Sequence, residues 1–203
     1  MSDFTYELDN RTDKYETYEW DSVWIEHANE LGRKRVAYIG DSISCGTRRI
    51  ATARTNEEIL FDGFGSSKAL DNPCFKDSLS LFFKQLPNID TVVFNNGLHG
   101  WHLNDDVEYK ELYEEMIKFL IDEIGDAKLY IVLTTAVTKS DDNERVKVRN
   151  ESAKAIAEKY SIPVIDLYEL THKNIDKILP DGVHPTEPLY EKIADKIIGE
   201  IKK

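Results

Sequence analysis

Short apolar runs alternate with helical patterns along the chain from residue 35 onward. Continuous apolar runs are typical of strands that are buried on both faces of a parallel sheet. We predict five such strands, at 35–40 (RVAYIG), 58–62 (EILFD), 90–95 (DTVVFN), 128–137 (KLYIVLTTAV) and 162–166 (IPVID). Because strands that alternate with helices form right-handed βαβ units, the predicted fold class is α/β, with helices on both faces of the sheet.

Apolar residues at helical spacing fill the intervals between the later strands. They form three faces: Tyr113, Met116, Ile117, Leu120 and Ile124; then Val146, Ala153, Ile156, Ala157 and Tyr160; then Leu189, Ile193, Ile197 and Ile201. Asn104 stands just before the first of these helices, where asparagine is a favoured N-cap. We expect each face to pack against the sheet.

Residues 1–34 have a different pattern, in which polar, charged and aromatic residues are mixed without strand–helix alternation. Large apolar side chains concentrate between Tyr18 and Ile25. We predict an N-terminal arm over residues 1–34 that packs on one domain spanning residues 35–203. A chain of 203 residues, 41% of them apolar, is long enough for a single domain with one sizeable core.

The charge balance narrows the choice of partners. With 38 Asp and Glu against 26 Lys and Arg, the net charge is −12. Nucleic acids and anionic membranes attract basic surfaces, so we expect neither as a partner. The sequence has no apolar run of the roughly 20 residues that span a bilayer and no pattern of a secretory signal. Its two cysteines, Cys45 and Cys74, do not make a disulfide framework. These features predict a cytoplasmic protein.

Polar residues follow the first predicted strand, at the sheet edge where α/β proteins bind ligands. The segment there reads Gly40-Asp41-Ser42. Ser42 therefore has the place of an exposed nucleophile whose own backbone N–H faces a developing oxyanion. The alternative interpretation is that Asp41 or Ser42 caps a helix.

Hydrogen-bond donors follow the next two strands. Gly63 and Gly65 stand in the segment after the second strand, where glycine lets the backbone approach a ligand, although an ordinary turn would also explain them. The segment 95–102 (NNGLHGWH) combines amides, imidazoles and glycines. His99 and His102 have a spacing that can bind a metal on a helix, but no third ligand of matched spacing is evident. Converging hydrogen-bond donors are the favoured interpretation.

Asp181 and His184 lie in a loop before the last helix that also holds Pro180, Gly182 and Pro185. An aspartate three residues before a histidine can orient the imidazole through Nδ1 and leave Nε2 to act as a base. Together with a serine and oxyanion donors, this pair would complete the set of groups for acyl transfer. Asp166, at the end of the fifth strand, is the alternative carboxylate.

These segments resemble the blocks of the SGNH (GDSL-type) hydrolase family, over about residues 35–203. The first block is similar to 39–44 (IGDSIS) and the last to 181–185 (DGVHP). The resemblance implies Ser42 as nucleophile, Asp181 as orienting carboxylate and His184 as base. It further implies a three-layer α/β/α sandwich of flavodoxin-like type, here with a five-stranded parallel sheet, and neither a metal nor an organic cofactor.

The oxyanion residues that the resemblance implies are less regular. Gly65 is the second-block glycine, with Gly63 as the alternative. The third block runs Gly-x-Asn-Asp in most members, but 97–100 reads Gly-Leu-His-Gly here, in a pattern that looks like a bacterial subgroup. The amide's role would therefore fall to His99, or to Asn96 from a shifted position.

The expected function is that of a serine esterase. We expect a short-chain acyl ester, most simply acetyl, of a carbohydrate or small molecule, because Trp101, His102 and Trp24 could form an aromatic platform that stacks on a sugar ring. The alternatives are a catalytically weak binding module of the same fold and a lipase- or thioesterase-type hydrolase. A phosphate binder is disfavoured because the Asp41 carboxylate would repel phosphate. The sequence leaves the acyl group, the alcohol and the oligomeric state open.

Overall fold

A computed structural model describes residues 14–16 and 18–203 of the chain. The strands are β1 (Asp21–Trp24), β2 (Lys34–Gly40), β3 (Ile59–Ser66), β4 (Thr91–Phe94), β5 (Lys128–Val132) and β6 (Val164–Ile165). The helices are α1 (Ser42–Arg54), α2 (Phe75–Gln85), α3 (Asp106–Ile124), α4 (Ser140–Lys159), α5 (Leu167–His172) and α6 (Glu187–Ile201), with a short 3₁₀ helix at Ile175–Lys177. Residues 1–13 and 17 of the predicted arm lie outside the described residues.

The strands of the described residues form one sheet in the order β1-β3-β2-β4-β5-β6. The five strands from β2 to β6 run parallel to one another, in the 2-1-3-4-5 order of flavodoxin-like folds. The predicted five-stranded parallel sheet is confirmed, but β1 adds a sixth, antiparallel strand next to β3. The pattern did not predict β1 because it is a four-residue edge strand whose side chains are mostly exposed.

Helices cover both faces of the sheet, because successive strand residues point to opposite sides. On one face Ile39 and Phe94 pack with Phe82 of α2 and Met116 of α3. On the other face Tyr38 and Val93 pack with Ala51 of α1 and Ile193 of α6. The structure therefore confirms the three-layer α/β/α sandwich.

The ends of two strands differ from the prediction. β3 continues to Ser66 instead of ending at residue 62, and β5 ends at Val132 instead of residue 137. The apolar stretch after β5 stays buried, but side chains bind its backbone. The amide of Asn150 binds Thr134 N–H, and the hydroxyl of Thr171 binds Ala136 N–H. These side chains take the place of a neighbouring strand as hydrogen-bond partners.

The first predicted helical face is confirmed, since Tyr113, Met116, Ile117, Leu120 and Ile124 are all buried in α3. The N-cap prediction is wrong by one residue: Asp105, not Asn104, accepts hydrogen bonds from the backbone N–H groups of Val107 and Glu108. Asp105 also brings a negative charge to the positive end of the helix, which favours it over asparagine. Within residues 14–16 and 18–203, no helix combines the length and apolarity needed to cross a membrane.

Candidate active site

Ser42 is the first residue of α1, directly after the turn that follows β2. Asp41 caps the helix, with its carboxylate 2.8 Å from the backbone nitrogen of Ile43. The Ser44 hydroxyl donates to the Asp41 carbonyl at 2.7 Å and tightens the same turn. Both interpretations of the segment therefore apply, with Asp41 as the cap and Ser42 at the helix N-terminus. Backbone N–H groups in this first turn lack intrahelical acceptors and lie at the positive end of the helix.

Asp181 and His184 lie in a tight loop between the 3₁₀ helix and α6. The loop is closed by an antiparallel bridge between Ile178 and Pro185. It is closed further by a 2.7 Å hydrogen bond from Leu179 N–H to the His184 carbonyl. Gly182 has φ +82°, a left-handed conformation that glycine adopts without strain. The short loop thus brings the carboxylate and the imidazole of nearby residues side by side.

The Asp181 carboxylate binds its own loop through both oxygens. Oδ1 accepts the backbone N–H groups of Val183 and His184, each at 2.9 Å, and Oδ2 lies 3.1 Å from His184 Nδ1. Partial burial would raise the pKa of the Asp181 carboxyl, but the N–H groups of His184 and Val183 and the imidazole outweigh it and lower that pKa below its usual value. The carboxylate is therefore held ionised and can orient His184 with a proton on Nδ1.

The structure brings Ser42, His184 and Asp181 together in one hydrogen-bonded row. His184 Nε2 lies 2.8 Å from Ser42 Oγ, although the two residues are 142 positions apart. Close packing of α1 on α6 makes this possible. A Cβ atom on Gly46 of α1 would lie only 2.5 Å from the ring of Tyr190 in α6. Asp166, the alternative carboxylate, caps α5 and accepts the N–H of Glu169 at 2.8 Å.

The prediction placed Gly63 and Gly65 in the segment after the second strand. The structure shows that both lie within β3, which is longer than predicted. Gly65 pairs with Gly40 of β2, which is two residues before Ser42. A Cβ atom on Gly65 would lie 2.2 Å from Cys45 Sγ, and one on Gly63 would lie 2.3 Å from the Arg48 side chain. Glycine is needed at Gly65 because α1 packs directly on this strand, whereas at Gly63 the flexible end of the Arg48 side chain could move aside. Of the two, Gly65 lies nearer the edge of the sheet that carries Ser42.

Asn96 joins the loop after β4 to the segment after β3. Its side-chain amide donates to the Lys68 carbonyl at 3.0 Å, and its own carbonyl accepts the Tyr109 hydroxyl at 2.5 Å. The Asn96 side-chain amide thus links the loop after β4 to the segment after β3.

His99 is buried in the same loop and contacts the N-terminal arm. Its Nδ1 lies 2.7 Å from Glu16 Oε1. Its ring packs edge-on against Trp20, with the centroids 6.0 Å apart. His102, the other histidine of the loop, pairs instead with Asp71, at 3.0 Å. The two imidazoles thus bind separate carboxylates, and the described residues contain no cluster of three or more candidate metal ligands.

Arg149 of α4 holds the loop 97–103 from behind. Its guanidinium is buried and donates to the carbonyls of Gly97 at 3.1 Å, His99 at 2.7 Å and Gly100 at 2.6 Å. A fourth, longer contact of 3.4 Å reaches the Leu103 carbonyl. Arg149 therefore binds the backbone on both sides of His99 and at His99 itself.

The tryptophans proposed as a sugar platform already contact guanidinium groups. The Trp101 ring lies 4.8 Å from the guanidinium of Arg145 and 4.9 Å from that of Arg149. Trp24 lies 5.3 Å from the guanidinium of Arg49. Such cation–π contacts use a ring face that stacking on a sugar would need.

Sequence reasoning missed three residues that shape this region: Glu16, Trp20 and Arg149. The aromatic content of the arm was the one available signal. It indicated that Trp20 packs on the domain but did not identify the residue that it packs against. Glu16 contacts a residue 83 positions away, and Arg149 binds carbonyls about 50 positions away. A local pattern carries no information on contacts at such separations.

The chain matches no protein-family model and no curated protein sequence. Its fold is similar to that of an acetyl xylan esterase, AlAXEase, with 17% identity over 82% of this chain and 99% of that one and a TM-score of 0.62. It is also similar to the lipase/acylhydrolase from Enterococcus faecalis (18% identity, 83% and 95% coverage, TM-score 0.62). A third such structure is a member of the lipolytic G-D-S-L family from Veillonella parvula DSM 2008 (18%, 84% and 99%, 0.61). The TM-scores establish a common fold, and at the level of the fold they confirm the resemblance found in the sequence.

Proposed function

We propose that this chain, which has the fold of the SGNH hydrolases, is a serine hydrolase that cleaves carboxylic esters. The observation that carries the proposal is the row of two contacts, Ser42 Oγ to His184 Nε2 at 2.8 Å and His184 Nδ1 to Asp181 Oδ2 at 3.1 Å. A nucleophile, a base and an orienting carboxylate in this geometry form the arrangement used for acyl transfer.

The reaction has two steps. His184 Nε2 takes the proton of Ser42 as Oγ attacks the ester carbonyl, and the same imidazole then gives that proton to the departing alcohol. An acyl-enzyme on Ser42 remains. Water, deprotonated by His184, attacks the acyl carbon, and the proton returns to Ser42 as the acid leaves. Throughout, Asp181 keeps the Nδ1 proton in place and stabilises the imidazolium.

The negative charge that develops on the carbonyl oxygen needs hydrogen-bond donors. We assign this role to the backbone N–H of Ser42 at the start of α1, to Gly65 and to His99. His99 is favoured over Asn96 because the Asn96 amide is bound to the Lys68 carbonyl. Loss of one such donor should lower kcat by roughly 10²–10³-fold.

The substrate class is an acetyl or other short-chain acyl ester of a carbohydrate or small molecule. The support is the likeness in fold to an acetyl xylan esterase. The tryptophan platform gives it little support, since Trp101 and Trp24 face guanidinium groups. A panel of 4-nitrophenyl esters from acetate to decanoate, with acetylated xylan beside it, should show kcat/KM falling as the acyl chain lengthens. A maximum at decanoate would favour the lipase-type alternative.

The first experiment is intact-mass analysis after incubation with a fluorophosphonate probe. We expect one covalent adduct on the wild type, mapped to Ser42, because only an activated serine oxygen attacks such a probe at a useful rate. His184→Ala should label at least about 10²-fold more slowly, since a positioned base contributes roughly 10²–10⁴-fold.

His172→Ala is the matched control, because His172 is an exposed histidine of α5 that stacks on Tyr168. It should label at the wild-type rate. A folded wild type that forms no adduct would contradict the proposal and favour a binding module of the same fold. An adduct on a serine other than Ser42 would contradict the assignment of the nucleophile.

A further inference from the structure

The described part of the arm is bound to the segment that follows β3. Trp20 and Ser67 exchange two hydrogen bonds, from Trp20 N–H to the Ser67 hydroxyl at 2.9 Å and from Ser67 N–H to the Trp20 carbonyl at 3.1 Å. Lys68 Nζ lies 2.7 Å from both carboxylate oxygens of Asp21. Glu19 accepts hydrogen bonds from Ser67 and Asn72. The arm therefore has a fixed position beside the candidate oxyanion residues.

Glu16 is the arm residue that touches the loop after β4. Its side chain is fully buried, the His99 side chain is 10% exposed, and Glu16 Oε1 lies 2.7 Å from His99 Nδ1. A buried carboxylate is costly unless it is paired. The His99 imidazole supplies that pairing, so the two side chains form another carboxylate–imidazole pair in the protein.

His99 is linked to the nucleophile's edge of the sheet through the arm. Its ring packs edge-on against Trp20. The Trp20 ring in turn lies 3.5 Å from the position of a Cβ on Gly65. Gly65 pairs with Gly40, two residues before Ser42. This series of contacts links the Glu16–His99 pair to Gly65, to which the oxyanion role is also assigned.

The pairing restricts which protons His99 can carry. With Glu16 ionised, the contact of 2.7 Å between Nδ1 and the carboxylate oxygen places a proton on Nδ1. In the neutral ring Nε2 then has no proton and can only accept a hydrogen bond. Nε2 becomes a donor only in the imidazolium, in which both ring nitrogens are protonated. An oxyanion donor at His99 must therefore be a cation.

The charges around His99 act in opposite directions. The Glu16 carboxylate at Nδ1 favours the imidazolium, whereas the Glu19 carboxylate accepts Glu16 N–H at 2.9 Å together with Ser67 and Asn72. The Arg149 guanidinium, 2.7 Å from the His99 carbonyl, opposes a second positive charge, and Lys68 is neutralised by Asp21. Among the carboxylates of the described residues, Glu16 contacts the ring directly and so has the largest influence.

We propose that Glu16 is a positioning residue for ester hydrolysis, because it holds His99 as an imidazolium that donates a charged N–H to the oxyanion. The proposal rests on the hydrolase function proposed above. It makes the N-terminal arm part of the active site. A charged donor at the position of the family's amide would also stabilise the oxyanion more strongly than a neutral one.

The test compares Glu16→Gln with Glu19→Gln, its matched control on the same arm. Both variants remove one carboxylate charge and keep the side-chain size, but only Glu16 contacts the His99 ring. With 4-nitrophenyl acetate we expect Glu16→Gln to lower kcat at least about tenfold and to leave KM within about twofold, up to the roughly 10²–10³-fold loss of a whole donor. Glu19→Gln should keep kcat within about threefold of wild type, and Glu16→Asp should recover part of the loss.

A double variant separates positioning from simple anchoring of the arm. In a His99→Asn background, Glu16→Gln should lower kcat no further, since the residue through which it acts is gone. An equal loss in both backgrounds would overturn the proposal and leave Glu16 as an anchor of the arm. A kcat for Glu16→Gln equal to that of Glu19→Gln would overturn it as well.

A spectroscopic measurement tests the protonation state without turnover. The ¹⁵N shifts of the His99 ring, assigned by comparison with His99→Asn, should show two protonated nitrogens in wild type and a neutral ring in Glu16→Gln. A neutral ring in wild type would overturn the proposal even if Ser42 is labelled. A wild type with the imidazolium but no labelled serine would instead mean that the hydrolase function itself is wrong.

Discussion

Replacement of Arg149 by lysine tests how firmly the loop that carries His99 is held. The two terminal nitrogens of the guanidinium serve three carbonyls at 2.6–3.1 Å, those of Gly97, His99 and Gly100. A lysine ammonium keeps the charge but presents its donors from one nitrogen. It can therefore replace the bonds of one guanidinium nitrogen but loses those of the other, which bind either Gly100 or both Gly97 and His99.

The expected loss follows from these contacts. Loss of one hydrogen bond from a charged donor costs about 1.5–3 kcal/mol. Arg149 also stacks on Trp101 and Tyr109, at 4.9 and 4.6 Å from the ring centroids. Loss of the planar group should add about 0.5–1 kcal/mol. We expect Arg149→Lys to lower the free energy of unfolding by about 2–4 kcal/mol, a large share of the roughly 5–15 kcal/mol of a whole domain.

Urea unfolding, followed by circular dichroism, measures this loss as a lower transition midpoint with an unchanged m-value. Arg145→Lys is the control, since Arg145 lies one turn earlier on α4, also contacts Trp101 and is half-buried. It should cost less than about 1 kcal/mol. Surface substitutions usually change the free energy of unfolding by no more than about 0.5 kcal/mol. A loss of this size or less for Arg149→Lys would refute the view that this guanidinium holds the loop.

Two further predictions concern the stability of the fold. Asp62 and Arg35 form a fully buried ion pair at 3.0 Å, so Asp62→Asn should lower the free energy of unfolding by about 3–5 kcal/mol in urea; a loss under about 1 kcal/mol would contradict this. Hydrogen bonds from Lys159 and Tyr160 lower the pKa of the Glu114 carboxyl to about 2. A depressed pKa adds stability above the unfolded value near 4.3, and that stability is lost as the pH falls toward about 2. Glu114→Gln should therefore flatten the fall in melting temperature over this interval, and equal slopes would contradict the assignment.

The parts of the fold that local pattern determines could be predicted from the sequence. The five parallel strands are continuous apolar runs, and the buried face of α3 repeats at helical spacing, so both are visible within a short window. β1 was not predicted because it depends on pairing with β3, about 40 positions away. The early end of β5 was not predicted because it depends on the side chains of Asn150 and Thr171, which bind the backbone from 16 and 35 positions away.

The same distinction applies to the candidate site. Ser42, Asp181 and His184 could be named because each lies at the carboxyl edge of a predicted sheet, and parallel topology brings that edge together. Their mutual distances agree with this expectation. Glu16 could not be named, because a lone glutamate in a polar arm has no pattern that points to a buried histidine. The contact between Glu16 and His99 becomes visible only in the folded structure, because the two residues are 83 positions apart in the sequence.

The position of β1 at the edge of the sheet bears on the population of complete active sites. Edge elements open locally at a lower free energy than the whole domain unfolds. If β1 separates from β3, Glu16 and Trp20 leave the loop after β4, while the packing of α1 on α6 still holds Ser42 close to His184. At a docking free energy of about 2.8 kcal/mol, roughly one molecule in a hundred would be in this incomplete state, and at about 1.4 kcal/mol roughly one in ten. The kcat of an ensemble is an average over both states. A substitution that only weakens the pairing of β1 would then reduce the number of working enzymes in the sample and leave the chemistry of each working enzyme unchanged.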